Sequence, residues 1–195
     1  MCAYFGLYLS GLKTCKLLAM QTVYISTYLG NRFYPTEGRI ERIDIEDIAH
    51  GLAYQCRFNG QTNQFYSVAQ HSLMVAALVP AAYQRAALLH DAAEAYLGDM
   101  VKPLKVLLPA FADIEDRVTE LIAAHFGLDF SDYTPIKHAD MRALATEKRD
   151  LMPHSVEPWS YLTGFAPLPD TIQPLSPNEA KQQFLQQWHA LNQRA

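Results

Sequence analysis

A chain of 195 residues is long enough for one well-buried domain and short for two. Half of it is hydrophobic and 18% is charged, which argues against a disordered chain, and a net charge of −4 supplies no basic field for nucleic acid. Three widely spaced cysteines, Cys2, Cys15 and Cys56, form no Cys-x-x-Cys pair and indicate neither a disulfide framework nor a thiolate zinc site.

In Met1–Ala19 apolar residues precede Lys13 and Lys16, the reverse of a secretory signal, and the run is too short and broken to span a membrane. We read residues 1–19 as an extension outside the core, 20–195 as a single domain, and the compartment as cytoplasmic. Thr22–Leu29 and Arg32–Tyr34 flank Gly30-Asn31 and predict a small hairpin, followed by a loop at Pro35–Gly38. Ile45, Ile48, Ala49, Leu52 and Ala53 recur at helical spacing between Asp44 and Gln55, with His50 on the polar side as hydrogen-bonded structure. Ser67 and Gln70 read as a capping box opening one helix; a second, over 81–97, follows Pro80 and is closed by a left-handed Gly98. Another helix runs from Pro109 to His125, with Val118, Leu121, Ile122 and Phe126 on one face, and stops at Gly127. Thr134 caps the next, ahead of Pro135. Pro153–Pro177 predicts a long loop pinned by Trp159, Tyr161 and Phe165. Ser176-Pro177-Asn178-Glu179 is a capping box for a last helix through Ala180, Phe184, Leu185, Trp188 and Leu191. The fold class expected is all-α, a helical bundle with a small N-terminal β-hairpin.

The most informative stretch is Ala-Ala-Leu-Leu-His90-Asp91-Ala-Ala-Glu94-Ala-Tyr96. Even neutral polar groups cost on the order of 2–7 kcal/mol to bury unpartnered. A divalent metal is a partner that suits an imidazole nitrogen and a carboxylate oxygen together; a surface-facing polar stripe is the plain alternative. His71 lies about eight residues before the Val79-Pro80 break and His90 about eight after the second helix begins. At 1.5 Å per residue each is roughly 12 Å from the turn, so an antiparallel pair brings them level. Asp140, in the second turn of the Thr134 helix, completes a set of four. Glu94 stands i+3 from Asp91 and i+4 from His90 and shares their helix face.

These residues in this order resemble the HD-domain metal-dependent phosphohydrolases, over about residues 22–155. The run from His90 through Glu94, Asp99 and Pro103 to Lys105 is similar to the helix and exit loop of the bacterial 5′-deoxynucleotidases of that superfamily. Arg57-Phe58 resembles their Arg-Trp pair, and Lys137-His138-Ala139-Asp140 the helix carrying their last ligand. Asp47–His50, Cys56–Phe58 and Tyr66–His71 resemble runs in a bacterial and prophage branch of uncharacterised HD-domain hydrolases.

The resemblance implies an HD-domain bundle holding one divalent ion (manganese, cobalt, nickel, zinc, iron or magnesium) on His71, His90, Asp91 and Asp140. It makes Glu94 and Asp99 catalytic and sets Arg57 and Phe58 against the substrate, while Lys102 and Lys105 are expected to be solvated and His138, two residues from Asp140, to point elsewhere on its helix, with a supporting role left open. The implied reaction is hydrolysis of a small phosphate ester, a nucleoside or deoxynucleoside 5′-monophosphate first, with no nucleic-acid or membrane partner and a homodimer left open. Two other readings stay open. One is a di-metal phosphodiesterase or oxygenase, which needs more histidines before Asp140 than His125 and His138. The other is a non-catalytic nucleotide-binding or regulatory module.

Overall fold

A computed structural model describes residues 23–153 and 158–193, so the reading of Met1–Ala19 lies outside the described residues. The described chain is mostly helical, with one small antiparallel sheet at its N-terminal end. Among these residues no helix is long and apolar enough to cross a membrane.

Strands β1 (Ile25–Ser26), β2 (Arg32–Tyr34) and β3 (Arg39–Ile40) pair in that order, with Phe33 opposite both Ile25 and Ile40. The hairpin is joined by a third strand that the sequence reading missed, and residues 35–38 are the turn leading to it. Gly30-Asn31 is not a two-residue turn. The connection runs from Thr27 to Asn31 and is gathered around the buried Asp47 carboxylate, which accepts from Thr27 Oγ1 (2.7 Å), Leu29 N (2.7 Å) and Asn31 Nδ2 (2.9 Å).

Asp47 belongs to α1 (Ile45–Tyr54), which Asp44 caps by accepting from Glu46 N. Ile48, Ala49, Leu52 and Ala53 are its buried stripe. His50 makes a ring stack rather than a hydrogen bond, lying between Tyr28 (3.8 Å) and Tyr54 (4.3 Å). A strained turn at Arg57–Gly60 then leads to α2 (Val68–Leu78), the central helix, which packs on α1 and on three later ones. Ser67 caps it by accepting from Gln70 N, but the capping box is only half formed. The Gln70 side chain instead holds the C-terminal loop, bonding Gln173 O and Leu175 N.

After Pro80 the expected single helix is broken. A 3₁₀ turn (Ala81–Tyr83) enters α3 (Gln84–Leu88), residues 89–93 form tight turns, and α4 (Glu94–Leu97) resumes. Gly98 closes α4 with φ 89° and ψ 150°, an extended conformation open essentially to glycine alone, not the left-handed helical cap expected. A short α5 (Lys102–Lys105), also missed, precedes α6 (Pro109–Phe126), which buries Val118 and Ile122 but leaves Leu121 exposed. In α7 (Thr134–Leu151) Thr134 is inside the helix, and it is the Asp132 side chain that accepts from its N–H. The loop before the last helix is pinned by Ile172 against Tyr66 and Leu151, while Tyr161 is exposed. The capping box at Ser176 and Glu179 opens α8 (Pro177–Asn192), which buries Ala180, Phe184, Trp188 and Leu191 in the main core.

One close approach fixes the site's floor. A Cβ on Gly51 of α1 would lie 2.8 Å from Ala95 O and 2.9 Å from Ala95 Cβ, so α4 can rest on α1 only because residue 51 is glycine. Gly51→Ala is therefore expected to destabilise the fold by about 1–3 kcal/mol through overpacking, read as a lower urea midpoint at unchanged m-value.

Candidate metal centre

Four segments converge on one point. α2 brings His71, the 89–93 turns bring His90 and Asp91, α7 brings Asp140, and the turn after α1 brings Arg57. In a regular helix adjacent side chains diverge by about a hundred degrees, so His90 and Asp91 would not face one target. The break permits it. Ala92 N bonds Leu89 O and Glu94 N bonds Asp91 O, both i→i−3 contacts that tighten the chain here. His90 Nε2 and Asp91 Oδ2 come within 3.2 Å, and the His71 and His90 rings lie 5.3 Å apart.

Each imidazole is fixed through its other nitrogen. His90 Nδ1 contacts Ala87 O at 2.8 Å and His71 Nδ1 contacts Glu147 Oε1 at 2.6 Å, so with Nδ1 as donor both Nε2 lone pairs face inward. Neither Nε2 has a hydrogen-bond partner, although both are buried. Asp140 Oδ1 lies 3.4 Å and Asp91 Oδ2 3.6 Å from His71 Nε2. Donor atoms at ~2.0–2.2 Å from one ion lie about 3–3.5 Å from one another, and the spacing here is of that order. His71, His90 and Asp140 offer ligand atoms all within 4.8 Å of one another, a group that could hold a metal ion. Asp91 borders it and is shared with Arg57, whose Nη1 is 3.7 Å away.

The electrostatics ask for a cation. Burial and Arg57 act to lower the pKa of His71, yet Glu147 and Asp140 outweigh them and push it up to about 9. Burial opposes ionisation of Asp140 and Asp91 as well, but the two histidines hold both carboxyls well below the usual range. Three carboxylates that draw a proton onto a buried imidazole would equally accept a dication on the two orphaned nitrogens.

Glu147 was missed by sequence reading. It is fully buried, and besides His71 it accepts from Arg57 Nη2 (3.2 Å) and Nε (3.3 Å). The signal was its place two turns beyond Asp140, on the same face of α7. Arg57 thus spends its planar fork inside the protein, with only Nη1 turned toward Asp91. Its position is set by a costly turn: Phe58 (φ 55°) and Asn59 (φ 52°) are both left-handed, at roughly 1–3 kcal/mol each. The Phe58 ring lies under the guanidinium at 5.3 Å and faces Trp159 at 6.1 Å.

Glu94 and Asp99 flank the centre. Burial first, and then Asp91 and Asp99, hold the Glu94 carboxyl well above the ordinary range, and its Oε2 has no hydrogen-bond partner. Asp99 is raised by burial, partly offset by Arg57. Both ends of this segment are tied by Gln55, a second residue the sequence reading passed over: its Nε2 donates to Glu94 O (2.7 Å) and its Oε1 accepts from Asp99 N (2.9 Å). Lys105 is not solvated as expected; it pairs with Glu115 (2.8 Å) and approaches Glu94 Oε1 (3.9 Å). His138 packs against the Phe165 ring, 5.5 Å off. A cleft of about 770 Å³ opens from His90, Asp91 and Glu94 between α6 and the segment ending at Tyr133; Arg57 and Phe58 do not line it.

Fold and site together define a mostly helical protein with a buried His-His-Asp group able to hold a metal ion. No family model matches the chain. It is 38% identical over 174 residues to the uncharacterized protein YfdR of Escherichia coli (strain K12), covering 87% of this chain and 96% of YfdR, and the chain belongs to that protein's family. An uncharacterized protein of Rhodobacter capsulatus is 46% identical over 107 residues, 50% of this chain and 55% of its own length.

Removing Glu147 strands Arg57 and unties His71. Glu147→Ala is expected to cost about 3–5 kcal/mol in chemical denaturation, because a buried charge loses its partner. Glu147→Gln, which keeps the volume, should still fold and bind a divalent ion about 10–100-fold more weakly in a metal titration. Unchanged affinity in Glu147→Gln would show that His71 needs no such orientation.

Proposed function

We propose that this chain is an HD-domain metal-dependent phosphohydrolase acting on nucleoside 5′-monophosphates, with the deoxy forms preferred. The observation that carries the reading is the pair of orphaned imidazole nitrogens beside Asp140, set at the head of a cleft next to the buried Glu94 carboxyl. The ordered set of His71, His90-Asp91 and Asp140 supports the HD-domain assignment.

His71, His90 and Asp140, with Asp91 beside them, would hold one divalent ion. When bound, it supplies Lewis-acid chemistry, countering charge on the phosphoryl oxygens and lowering the pKa of a nearby water from 15.7 toward about 7. The rest falls to the chain's own groups. Hydrolysis forms a bond from water oxygen to phosphorus and breaks the ester P–O bond, and the departing oxygen must take up a proton. Glu94 holds one, because burial and the neighbouring carboxylates disfavour its charge, and its Oε2 has no internal partner. Glu94 Oε2 is therefore the donor to the leaving group, and Lys105, 3.9 Å from Oε1, steadies the carboxylate left behind. The proton shed by the attacking water restores the acid.

Arg57 acts chiefly by positioning. It locks Glu147 and through it His71, and only Nη1 remains for a phosphoryl oxygen. Phe58 supports the guanidinium from below. Because it lies under the guanidinium rather than along the cleft, it is not placed to crowd the sugar, and discrimination against a 2′-hydroxyl is expected to be modest, on the order of 1–3 kcal/mol.

The test is a screen of phosphate monoesters with purified protein and manganese, cobalt, nickel, zinc or magnesium, comparing kcat/KM for matched deoxy and ribo monophosphates. Turnover of both, with a moderate deoxy preference, is expected. Hydrolysis of other monoesters only would remove the nucleotidase assignment, and two ions per chain would shift the reading to a di-metal phosphodiesterase. Glu94→Gln should keep the ion yet lose roughly 10²–10⁴-fold in kcat, the usual worth of positioned acid–base help; a loss under about tenfold would make Glu94 a bystander.

A further inference from the structure

The cleft beyond the metal centre carries a lopsided charge. Asp91, Glu94, Glu115, Asp116 and Glu120 line it against one ammonium, Lys105. Lys105 is already engaged, 2.8 Å from Glu115 and 3.9 Å from Glu94. A metal ion would offset the charge of Asp91, and Lys105 offsets part of that on Glu115 and Glu94. Asp116 and Glu120 remain, exposed on α6, with no ion-pair partner among the described residues. Nor is the cleft a mere gap between elements. Glu94 is only 6% exposed and lines it with an oxygen that has no hydrogen-bond partner in the protein, so its partner must come from whatever enters. The facing wall carries the edge-to-face rings of Phe130 and Tyr133, 6.1 Å apart, an apolar support for an organic group.

Resting on the phosphohydrolase reading, we infer that the α6 wall is a charge filter on the leaving group: it admits phosphate monoesters whose leaving group is neutral or cationic and rejects those bearing a second negative charge. The metal centre meets the phosphoryl end, so the rest of the substrate extends along α6 past Asp116 and Glu120. A unit charge about 6 Å from such a carboxylate, at a permittivity between protein and water, changes a binding constant on the order of tenfold. Hydroxyl and amine donors satisfy the carboxylates; a carboxylate or second phosphate meets like charge.

The experiment uses phosphonates, which cannot be hydrolysed, so it reads binding rather than turnover. Manganese-loaded protein is titrated by calorimetry at low salt with 4-aminobutylphosphonate, butylphosphonate and 4-phosphonobutyrate, which have a similar reach and end in an ammonium, a methyl and a carboxylate. The ammonium compound is expected to bind at least about tenfold tighter than the carboxylate, with the butyl compound between. Asp116→Asn/Glu120→Gln, both at exposed positions that leave the core untouched, should shrink the span to under about threefold, as should salt near 0.5 M, where the Debye length falls below ~5 Å. Glu120→Lys should favour the carboxylate compound further. Equal binding of all three by the native protein, or a span unchanged in the double variant, overturns the filter and leaves the phosphohydrolase reading standing. Failure of all three to bind overturns both.

Discussion

The site depends on one buried chain of charge: Arg57 to Glu147 to His71. It joins the turn after α1, the last turns of α7 and the centre of α2, and all three side chains are out of water. Ions in such a place cost several kcal/mol each to desolvate, and attraction between them repays this only with good geometry. A Met or Leu set of equal volume would serve the core at least as well. What the chain secures is orientation. Glu147 accepts at His71 Nδ1, so the Nε2 lone pair points at the convergence of α2, α7 and the 89–93 turns and nowhere else.

The same logic explains two local departures from regular structure. A continuous helix over 81–97 would satisfy the backbone better than the 3₁₀-like turns at 89–93, yet it would splay His90 from Asp91. Two consecutive left-handed residues, Phe58 and Asn59, are disfavoured by the clash of Cβ with the following carbonyl. The structure holds them with the bridge between Cys56 and Ser67 and the bond from Arg57 N to Tyr66 O. Both irregular segments carry residues of the candidate metal centre, and the 89–93 turns also send Leu89, Ala92 and Ala93 into the main core.

Most of the helices were legible from the spacing of apolar residues and from caps at Ser67 and Ser176. The level placement of His71 and His90 followed from counting residues on each side of Pro80, because helix rise converts sequence distance to length. What was hidden depended on tertiary partners. Gln70 completes no capping box because Gln173 and Leu175 compete for its amide. The 27–31 turn is set by Asp47, sixteen to twenty residues away, and Gly30-Asn31 alone cannot announce it. Glu147 was passed over within Thr-Glu-Lys-Arg, since its burial is visible only when α2 lies across α7. Lys105 read as solvated for the same reason, its partner Glu115 lying on a helix whose approach no local pattern encodes.

The two sides of the metal centre are chemically unlike, and this gives the proposed reaction a direction. On one side stands Arg57, its charge spent on Glu147 and Asp91, with Phe58 and Trp159 beneath it. On the other, Glu94, its carboxyl held well above the ordinary range by burial and neighbouring carboxylates, opens onto a cleft with an acidic α6 wall. A dianionic phosphoryl group is repelled by that wall and is stable only against the cationic centre, whereas the alcohol leaving from it is not repelled. An ester would therefore orient with its bridging oxygen toward Glu94, whose carboxyl is held well above the ordinary range by burial and the neighbouring carboxylates. Charge separation along the cleft and acid placement at its head then serve the same end: the proton is delivered to the oxygen that must leave.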